Sequence, residues 1–213
     1  HERGIQQGRC FAGSAARIEA DLGDLPVLPR WVPLGLRQQL VRTGAQALGA
    51  YYLRRHEVDV ELLGGLAAGF GQSAAWVYGI NAFEVESANV GFSMGCTSLA
   101  IDGSRRSDAR ARLAYNHDFP PAFGPHIILR RSAPRAGFRS LTITYPTMAG
   151  AICGVNEHGL AMSYDQGYAT DLVRGRRSTL VSMSLQACLD ECRDVDEAVA
   201  RLDSVMEREG TPS

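Results

Sequence analysis

One cysteine stands in a setting that could make it a nucleophile. Cys96 follows Gly95 and precedes two hydroxyl residues, Thr97 and Ser98, at the head of an apolar run that would form a strand. Glycine adopts backbone conformations that other residues avoid, so the Gly95–Cys96 peptide could be held strained and open to attack by the thiol. Taken alone, however, this stretch fits a buried structural cysteine better.

Polar residues in two downstream segments could complete a site around this thiol. Asn116 and Asp118 are two residues apart, so both would face one side of a strand. Asn156 follows an apolar segment, in a glycine-flanked turn where its amide could point into a site. Asp118 and Asn156 also fit an ordinary structural role, because Asp and Asn are common turn residues.

The order and spacing of these motifs resemble a known enzyme family. Gly-Cys-Thr-Ser at 95–98, Asn-x-Asp at 116–118 and Gly-x-Asn-Glu-x-Gly-Leu at 154–160 resemble the acyl-coenzyme A:6-aminopenicillanic acid acyltransferase family. This family belongs to the N-terminal nucleophile (Ntn) hydrolases and is distantly related to choloylglycine hydrolases and acid ceramidases. Segments 4–9 and 62–71 resemble its pro-segment, so the resemblance covers nearly the whole chain.

The resemblance implies a self-processing enzyme. The Cys96 thiol would cut the Gly95–Cys96 bond, and the new α-amine, with a reference pKa of about 7.7–8.0, would then take the thiol proton. Asp118 would hold this amine, Asn116 would support it, and Asn156 would donate to the oxyanion. The implied substrate is a small-molecule acyl-amide or acyl-thioester that reacts through an acyl-cysteine intermediate, with no cofactor and no metal.

Two other functions remain open. A papain-like Cys–His hydrolase would use His117, His126 or His158 as its base and would not cut itself. A non-catalytic domain of the same fold would keep Cys96 as a structural residue. Only a self-processing chain would yield the fragments 1–95 and 96–213.

The composition narrows the possible partners and locations. The chain has 213 residues, of which 45% are hydrophobic and 21% charged, as in ordinary globular domains. A net charge of −1 provides no overall basic field for nucleic acid or an anionic membrane. The sequence contains no lysine, which excludes Schiff-base chemistry. The five cysteines fit neither a disulfide framework nor a paired zinc site, so a reducing compartment, the cytoplasm, is expected.

Two groups of arginines are expected to be solvated surface residues. They lie at 130–131 and 174–177, and a coenzyme A phosphate could dock on them.

Residue spacing predicts helices, then strands, then helices. Apolar residues at helical intervals predict helices over 4–22, 33–55, 58–68 and 74–83. Short apolar runs between turn residues predict strands over 97–101, 112–116, 126–131, 138–145, 149–155 and 160–164. Helical spacing returns over 179–191, and Asp194 could cap a final helix.

This order predicts an α+β domain, which the resemblance sharpens to the four-layer αββα sandwich of the Ntn fold. Residues 1–95 would form a helical pro-segment and residues 96–213 the nucleophile-bearing chain, together making one domain whose processed fragments remain associated. The family usually continues into further strands that carry another catalytic asparagine. We therefore expect this chain to lack its C-terminal strands.

Overall fold

Helices dominate the described part of the first 86 residues. The computed structural model describes residues 1–24, 29, 31–53, 60–86, 95–165 and 180–209. Within these residues, the first part of the chain forms five helices, which are α1 (Glu2–Cys10), α2 (Ala12–Asp24), α3 (Leu34–Leu53), α4 (Val60–Phe70) and α5 (Ala74–Glu86). The predicted helical character of this region is confirmed.

The single helix predicted over 4–22 is wrong, because the chain turns at Phe11. The backbone of Phe11 leaves helical geometry at φ −119°, ψ 27°, which separates α1 from α2. The Phe11 side chain packs against the helical core. The turn lets α2 bury Ile18 and Leu22 against the second half of the chain.

Strands follow in two antiparallel sheets of the described chain. They are β1 (Gly95–Ile101), β2 (Arg112–Asp118), β3 (Ile128–Ser132), β4 (Ser140–Thr144), β5 (Cys153–Asn156) and β6 (Ala161–Ser163). β1 pairs with β2, and the other four form a sheet in the order β3-β4-β5-β6. Every predicted strand is present, although the last four are shorter than expected. The structure is thus of the mixed α+β class.

Two helices, α6 (Val181–Glu191) and α7 (Val195–Glu209), return after the strands. The predicted cap of the last helix is confirmed, because the Asp194 carboxylate accepts from the Glu197 amide at 2.9 Å. α6 packs beside β5 and β6 and buries Leu185 and Leu189 in a core shared with Leu160. α6 therefore lies on one face of the four-stranded sheet, and α7 packs against α6.

The opposite face of this sheet is apolar and exposed. Along β4 the buried positions carry Ser140, Thr142 and Thr144, whereas Leu141 and Ile143 point outward. Neighbouring strands add outward aliphatic side chains, of which Leu129 on β3 is 66% exposed. An alternation with polar residues inside and apolar residues outside is the reverse of that in a sheet with one solvated face.

Glycines allow α1 and α4 to pack with their backbones in close contact. A Cβ added to Gly4 or Gly8 would meet the backbone of α4, and one added to Gly65 or Gly69 would meet the backbone of α1. The two glycine-containing segments that resemble a pro-segment thus pack against each other. Because glycine has no side chain, the two helices approach more closely here than any other residue would allow.

A half-buried arginine ties this helical part to the sheets. The Arg130 guanidinium donates to the Gln7 amide oxygen of α1 at 3.1 Å and to Gln186 of α6 at 2.6 Å. It also donates to the backbone carbonyls of Met148, Ala149 and Gly150. The expectation that Arg130 is a solvated surface residue is therefore wrong, because its guanidinium donates hydrogen bonds to acceptors inside the protein.

Of the other arginines in those two groups, Arg131 is exposed as expected. The group at 174–177 lies outside the described residues.

Gly8→Ala should destabilise the protein, because its Cβ would lie 2.8 Å from the backbone of Gly69 and push α1 from α4. We expect a loss of about 1–3 kcal/mol in the free energy of unfolding, measured in urea. Gly13→Ala is the matched control, since nothing lies within 4 Å of its Cβ. The control should be neutral or gain up to about 1 kcal/mol from helix propensity. Equal effects of the two substitutions would contradict the close packing.

Arg130→Lys should also lower the free energy of unfolding, because an ammonium has three donors and cannot reproduce the planar guanidinium contacts. A loss of at least about 2 kcal/mol is expected, because several hydrogen bonds to a charged group are weakened or lost. Arg131→Lys, the exposed neighbour, should be close to neutral. If the two variants unfolded at the same urea concentration, Arg130 would not have the structural role described here.

Candidate active site

The ladder between β1 and β2 decides which side chains meet Cys96. Cys96 lies directly opposite His117, and Gly95 lies opposite Asp118. Side chains alternate along β2, so Tyr115 and His117 are half-buried, while Asn116 and Asp118 are exposed on the other face. Of the predicted site residues, Cys96, Asn116 and Asp118 are therefore near one another but divided between the two faces of the ladder.

On the inner face, the Cys96 thiol joins a chain of polar aromatic groups. The Tyr115 hydroxyl donates to Cys96 Sγ at 2.9 Å, and His117 Nδ1 lies 3.5 Å from the same sulfur. Tyr115 Oη is also 3.1 Å from His117 Nδ1, and His117 Nε2 is 3.2 Å from Tyr145 Oη. The ring of Phe119 stacks on the imidazole with 4.9 Å between centroids. The imidazole is thus held by contacts on both nitrogens and on one face.

Partial burial favours the neutral forms of Tyr115, His117 and Tyr145. Burial raises the pKa of Tyr115 well above its ordinary value, and the hydrogen bond to Cys96 raises it further. Burial likewise raises the pKa of Tyr145. Burial lowers the pKa of His117, and the negative charge of Asp118 partly opposes this shift. At neutral pH both phenols are therefore neutral donors, and the imidazole is a neutral base.

An apolar cavity of about 60 Å³ borders this cluster. It lies between α2, α5, β2 and the segment 145–152, and Cys96 and His117 form part of its wall. The other lining residues are Ile18, Leu22, Ile80, Asn81, Phe119, Phe123, Tyr145, Thr147, Met148, Ile152 and Tyr164. Concave sites lined mostly by apolar side chains with a few polar groups are typical of small-molecule binding.

The outer face of the ladder places a carboxylate beside the Gly95–Cys96 peptide. Asp118 Oδ2 lies 3.4 Å from the position that a Cβ on Gly95 would occupy. Asn116 Nδ2 donates to Asp118 Oδ1 at 2.6 Å and fixes the carboxylate. Gly95 already belongs to β1, in register with Asp118, so it has a regular strand position in place of the strained conformation suggested by the sequence.

Asn156 is placed away from this cluster, and its amide is fully used within the fold. Its Nδ2 donates to the carbonyls of Leu189 and Cys192 at the end of α6, at 3.1 and 2.7 Å. Its Oδ1 accepts from the backbone amides of His158 and Leu160. The oxyanion role implied for Asn156 stays a prediction, and in this arrangement the side chain has no donor left for a substrate.

The other histidines named in the sequence analysis do not approach Cys96. His126 is buried and pairs with Asp21 on α2 at 2.5 Å. His158 packs edge-on against the Phe138 ring at 4.3 Å. Only His117 is therefore placed to exchange a proton with the thiol among the described histidines.

Sequence reasoning missed the two tyrosines of the cluster. Tyr115 alternates with Asn116 in the strand pattern, so its position beside Cys96 follows once β1 and β2 are paired. Tyr145 reaches the site through tertiary packing, and no local sequence signal points to it.

The remaining cysteines show no sign of a second site. All five are free thiols, and Cys188 and Cys192 are buried in the core under α6. In the described part of the chain, no group of three or more His, Cys, Asp or Glu side chains could hold a metal ion. None of the described helices combines the length and apolar character needed to cross a membrane.

Comparison with known proteins finds a match to one family model. The family model described as acyl-coenzyme A:6-aminopenicillanic acid acyl-transferase matches residues 105–211, which is half of the chain. The match includes Asn116, Asp118 and Asn156 and begins after Cys96. No curated protein matches the chain.

Asn156→Ala should act mainly on stability, because it leaves two carbonyls and two backbone amides without their partner. We expect the free energy of unfolding to fall by more than about 2 kcal/mol, measured by urea denaturation. Asn116→Ala, which removes an exposed asparagine from the other sheet, should cost less than about 1 kcal/mol. An Asn156→Ala protein of unchanged stability that loses only activity would instead support the oxyanion role.

Proposed function

Because the chain belongs to the acyl-coenzyme A:6-aminopenicillanic acid acyltransferase family, we propose that it is a self-processing hydrolase or acyltransferase with Cys96 as nucleophile. The observation that carries this proposal is the position of the Cys96 thiol, which forms part of an apolar cavity wall and accepts a hydrogen bond from Tyr115. A structural cysteine would need neither the cavity nor the donor. The proposed substrates of the enzyme are acyl-amides or acyl-thioesters.

In the proposed reaction, Cys96 first becomes the N-terminal residue of the fragment 96–213. Its α-amine then accepts the thiol proton, Sγ attacks the acyl carbonyl, and an acyl-cysteine forms as the leaving group departs. Water or an amine releases the acyl group. Asp118 supports the α-amine, since its carboxylate already lies beside the peptide that would become the new terminus. Asn116 keeps the carboxylate in place.

The size of the cavity favours a short apolar acyl group. A cavity of about 150 Å³ accommodates a benzene ring, so a cavity of about 60 Å³ holds only a few carbon atoms in this conformation. Among the described lining residues there is no carboxylate and no arginine, so a charged acyl group would find no partner.

We propose that the fragments stay together after cleavage, because many polar contacts cross the cut. Gln7 of α1 donates to the carbonyls of Pro146 and Met148. Asn81 of α5 donates to the Thr147 carbonyl and accepts from the Ala149 amide, both at 2.8 Å. The cavity itself takes walls from both fragments. Fragments 1–95 and 96–213 thus make one domain.

The four-layer αββα arrangement also remains a proposal. Its support is the outward apolar face of the four-stranded sheet, where Leu129, Leu141 and Ile143 have the character of a surface packed against a second sheet. The opposite face is covered by α6.

A Cys–His hydrolase that never cuts itself is a second candidate. It is favoured by the 3.5 Å separation between Cys96 Sγ and His117 Nδ1, within reach for proton transfer. This candidate predicts thiol-dependent activity in the uncut chain, whereas the leading proposal predicts that activity appears with cleavage.

Cys96→Ser should slow both maturation and turnover, because an alcohol is a far weaker acid than a thiol and gives little nucleophile. Cys96→Ala should remain uncut and inactive. Cys10→Ser, a change at an exposed cysteine, is the control and should process like the wild type. Intact mass spectrometry of the complete gene product over time measures the cleavage. Normal fragment formation in Cys96→Ala would contradict the assignment of Cys96 as the nucleophile.

Asp118→Asn should slow turnover by about 10- to 100-fold, which corresponds to the 1.5–3 kcal/mol of a hydrogen bond to a charged group. The substitution keeps the shape of the side chain and an acceptor for Asn116 while removing the charge that holds the amine. Asp203→Asn, an exposed change on α7, serves as the matched control. Hydrolysis of p-nitrophenyl butyrate by fully cut protein gives the rates. Equal rates for both variants would argue against the amine-holding role.

A further inference from the structure

Cleavage of the Gly95–Cys96 bond requires a base that the mature mechanism does not supply. In the uncut chain the Cys96 nitrogen is an amide, which cannot accept the thiol proton. The α-amine that serves turnover exists only after the bond is broken. Some other group must therefore take the proton of Cys96 in the first reaction.

His117 has a basic nitrogen beside the thiol. Its Nδ1 lies 3.5 Å from Cys96 Sγ. Asp118 is exposed on the opposite face of the ladder, so its carboxylate points away from the sulfur. The sequence has no lysine. The guanidinium of arginine stays protonated at neutral pH and therefore cannot accept the thiol proton. The phenols of Tyr115 and Tyr145 are protonated at neutral pH, and burial raises the pKa of each further.

The contacts of His117 suit a neutral base whose Nδ1 faces the Cys96 thiol. With its proton on Nε2, the imidazole can donate to Tyr145 Oη at 3.2 Å, and in that tautomer the Nδ1 lone pair faces the thiol. The Tyr115 hydroxyl donates to Sγ and stabilises the thiolate as it forms. Stacking on Phe119 keeps the ring in this orientation. Burial favours the neutral imidazole and lowers the pKa of His117, although Asp118 partly opposes this.

We propose that His117 is the general base for self-cleavage of the Gly95–Cys96 bond, and that the new α-amine replaces it in turnover. This inference rests on the proposed self-processing function. It assigns one base to each of the two reactions of the same thiol.

The proposed step balances its protons and bonds. Nδ1 accepts the thiol proton as Sγ attacks the Gly95 carbonyl carbon and forms a C–S bond. The C–N bond to Cys96 then breaks, and the imidazolium returns its proton to the departing nitrogen, which becomes the α-amine. Water hydrolyses the resulting thioester, which yields the Gly95 carboxylate and the free thiol. His117 ends the sequence neutral.

His117→Gln tests the first half of the proposal. Glutamine preserves a hydrogen-bonding group of similar reach but accepts no proton near neutral pH. Intact mass of the complete gene product should show cleavage slowed by at least about 100-fold, the lower end of what a general base contributes. His117→Ala should be equally slow and should recover part of its rate when imidazole is added, which a purely structural role for His117 would not produce. Thermal denaturation of both variants checks that they fold.

The second half is tested by making the cut with an external protease. Phe92→Ile, Ser93→Glu, Met94→Gly and Gly95→Arg together place a factor Xa site before Cys96 in the full chain. After factor Xa treatment, burst acylation of Cys96 by p-nitrophenyl butyrate is compared with and without His117→Gln. Because the α-amine is now present, His117→Gln should lower this rate by less than about 10-fold, against at least about 100-fold for self-cleavage.

The possible outcomes separate this inference from the function on which it rests. Self-cleavage of His117→Gln at the wild-type rate would overturn the assignment of His117. An equally large loss in the externally cut protein would also overturn it and would favour a Cys–His mechanism in turnover. If the wild type never cuts itself, and factor Xa treatment creates no acylation at Cys96, the self-processing function itself fails.

Discussion

The guanidinium of Arg130 is the interaction on which the rest of the arrangement depends. It is held by amide oxygens from α1 and α6 and by three consecutive carbonyls of the segment 148–150. Burial lowers its pKa to about 10, with Asp190 opposing the shift, so it stays charged at neutral pH. That segment leads from Tyr145 to Ile152, which both line the cavity at Cys96. One internal cation therefore positions the wall of the site and joins the two halves of the chain.

The β1–β2 ladder places different functional groups on its two faces. On its inner face Cys96 meets Tyr115 and His117, which can donate to the sulfur and accept its proton. On its outer face Asp118 lies beside Gly95, where a new α-amine would form. Because the side-chain period of a strand is two, one pair of strands offers the same residue a different partner on each side. The two faces correspond to the two proposed reactions of the Cys96 thiol, which are self-cleavage and turnover.

The sequence predicted the helices and strands well, and the site only in part. The strand period correctly places Asn116 and Asp118 on one face, and Asp194 caps α7 as predicted. Sequence patterns do not report tertiary packing. Three contacts depend on residues distant in the chain. They are the hydrogen bond of Arg130 to Gln186, the approach of Tyr145 to His117 and the pairing of Asn156 with the end of α6. Each required the neighbouring element to be in place.

The most direct test is N-terminal sequencing of the fragments that a complete gene product forms after purification, with no added protease. If Cys96 is the nucleophile that processes the chain, the C-terminal fragment begins at Cys96, with Thr97 and Ser98 next. A new terminus at any other residue, or a chain that stays uncut while the enzyme is active, would contradict the account.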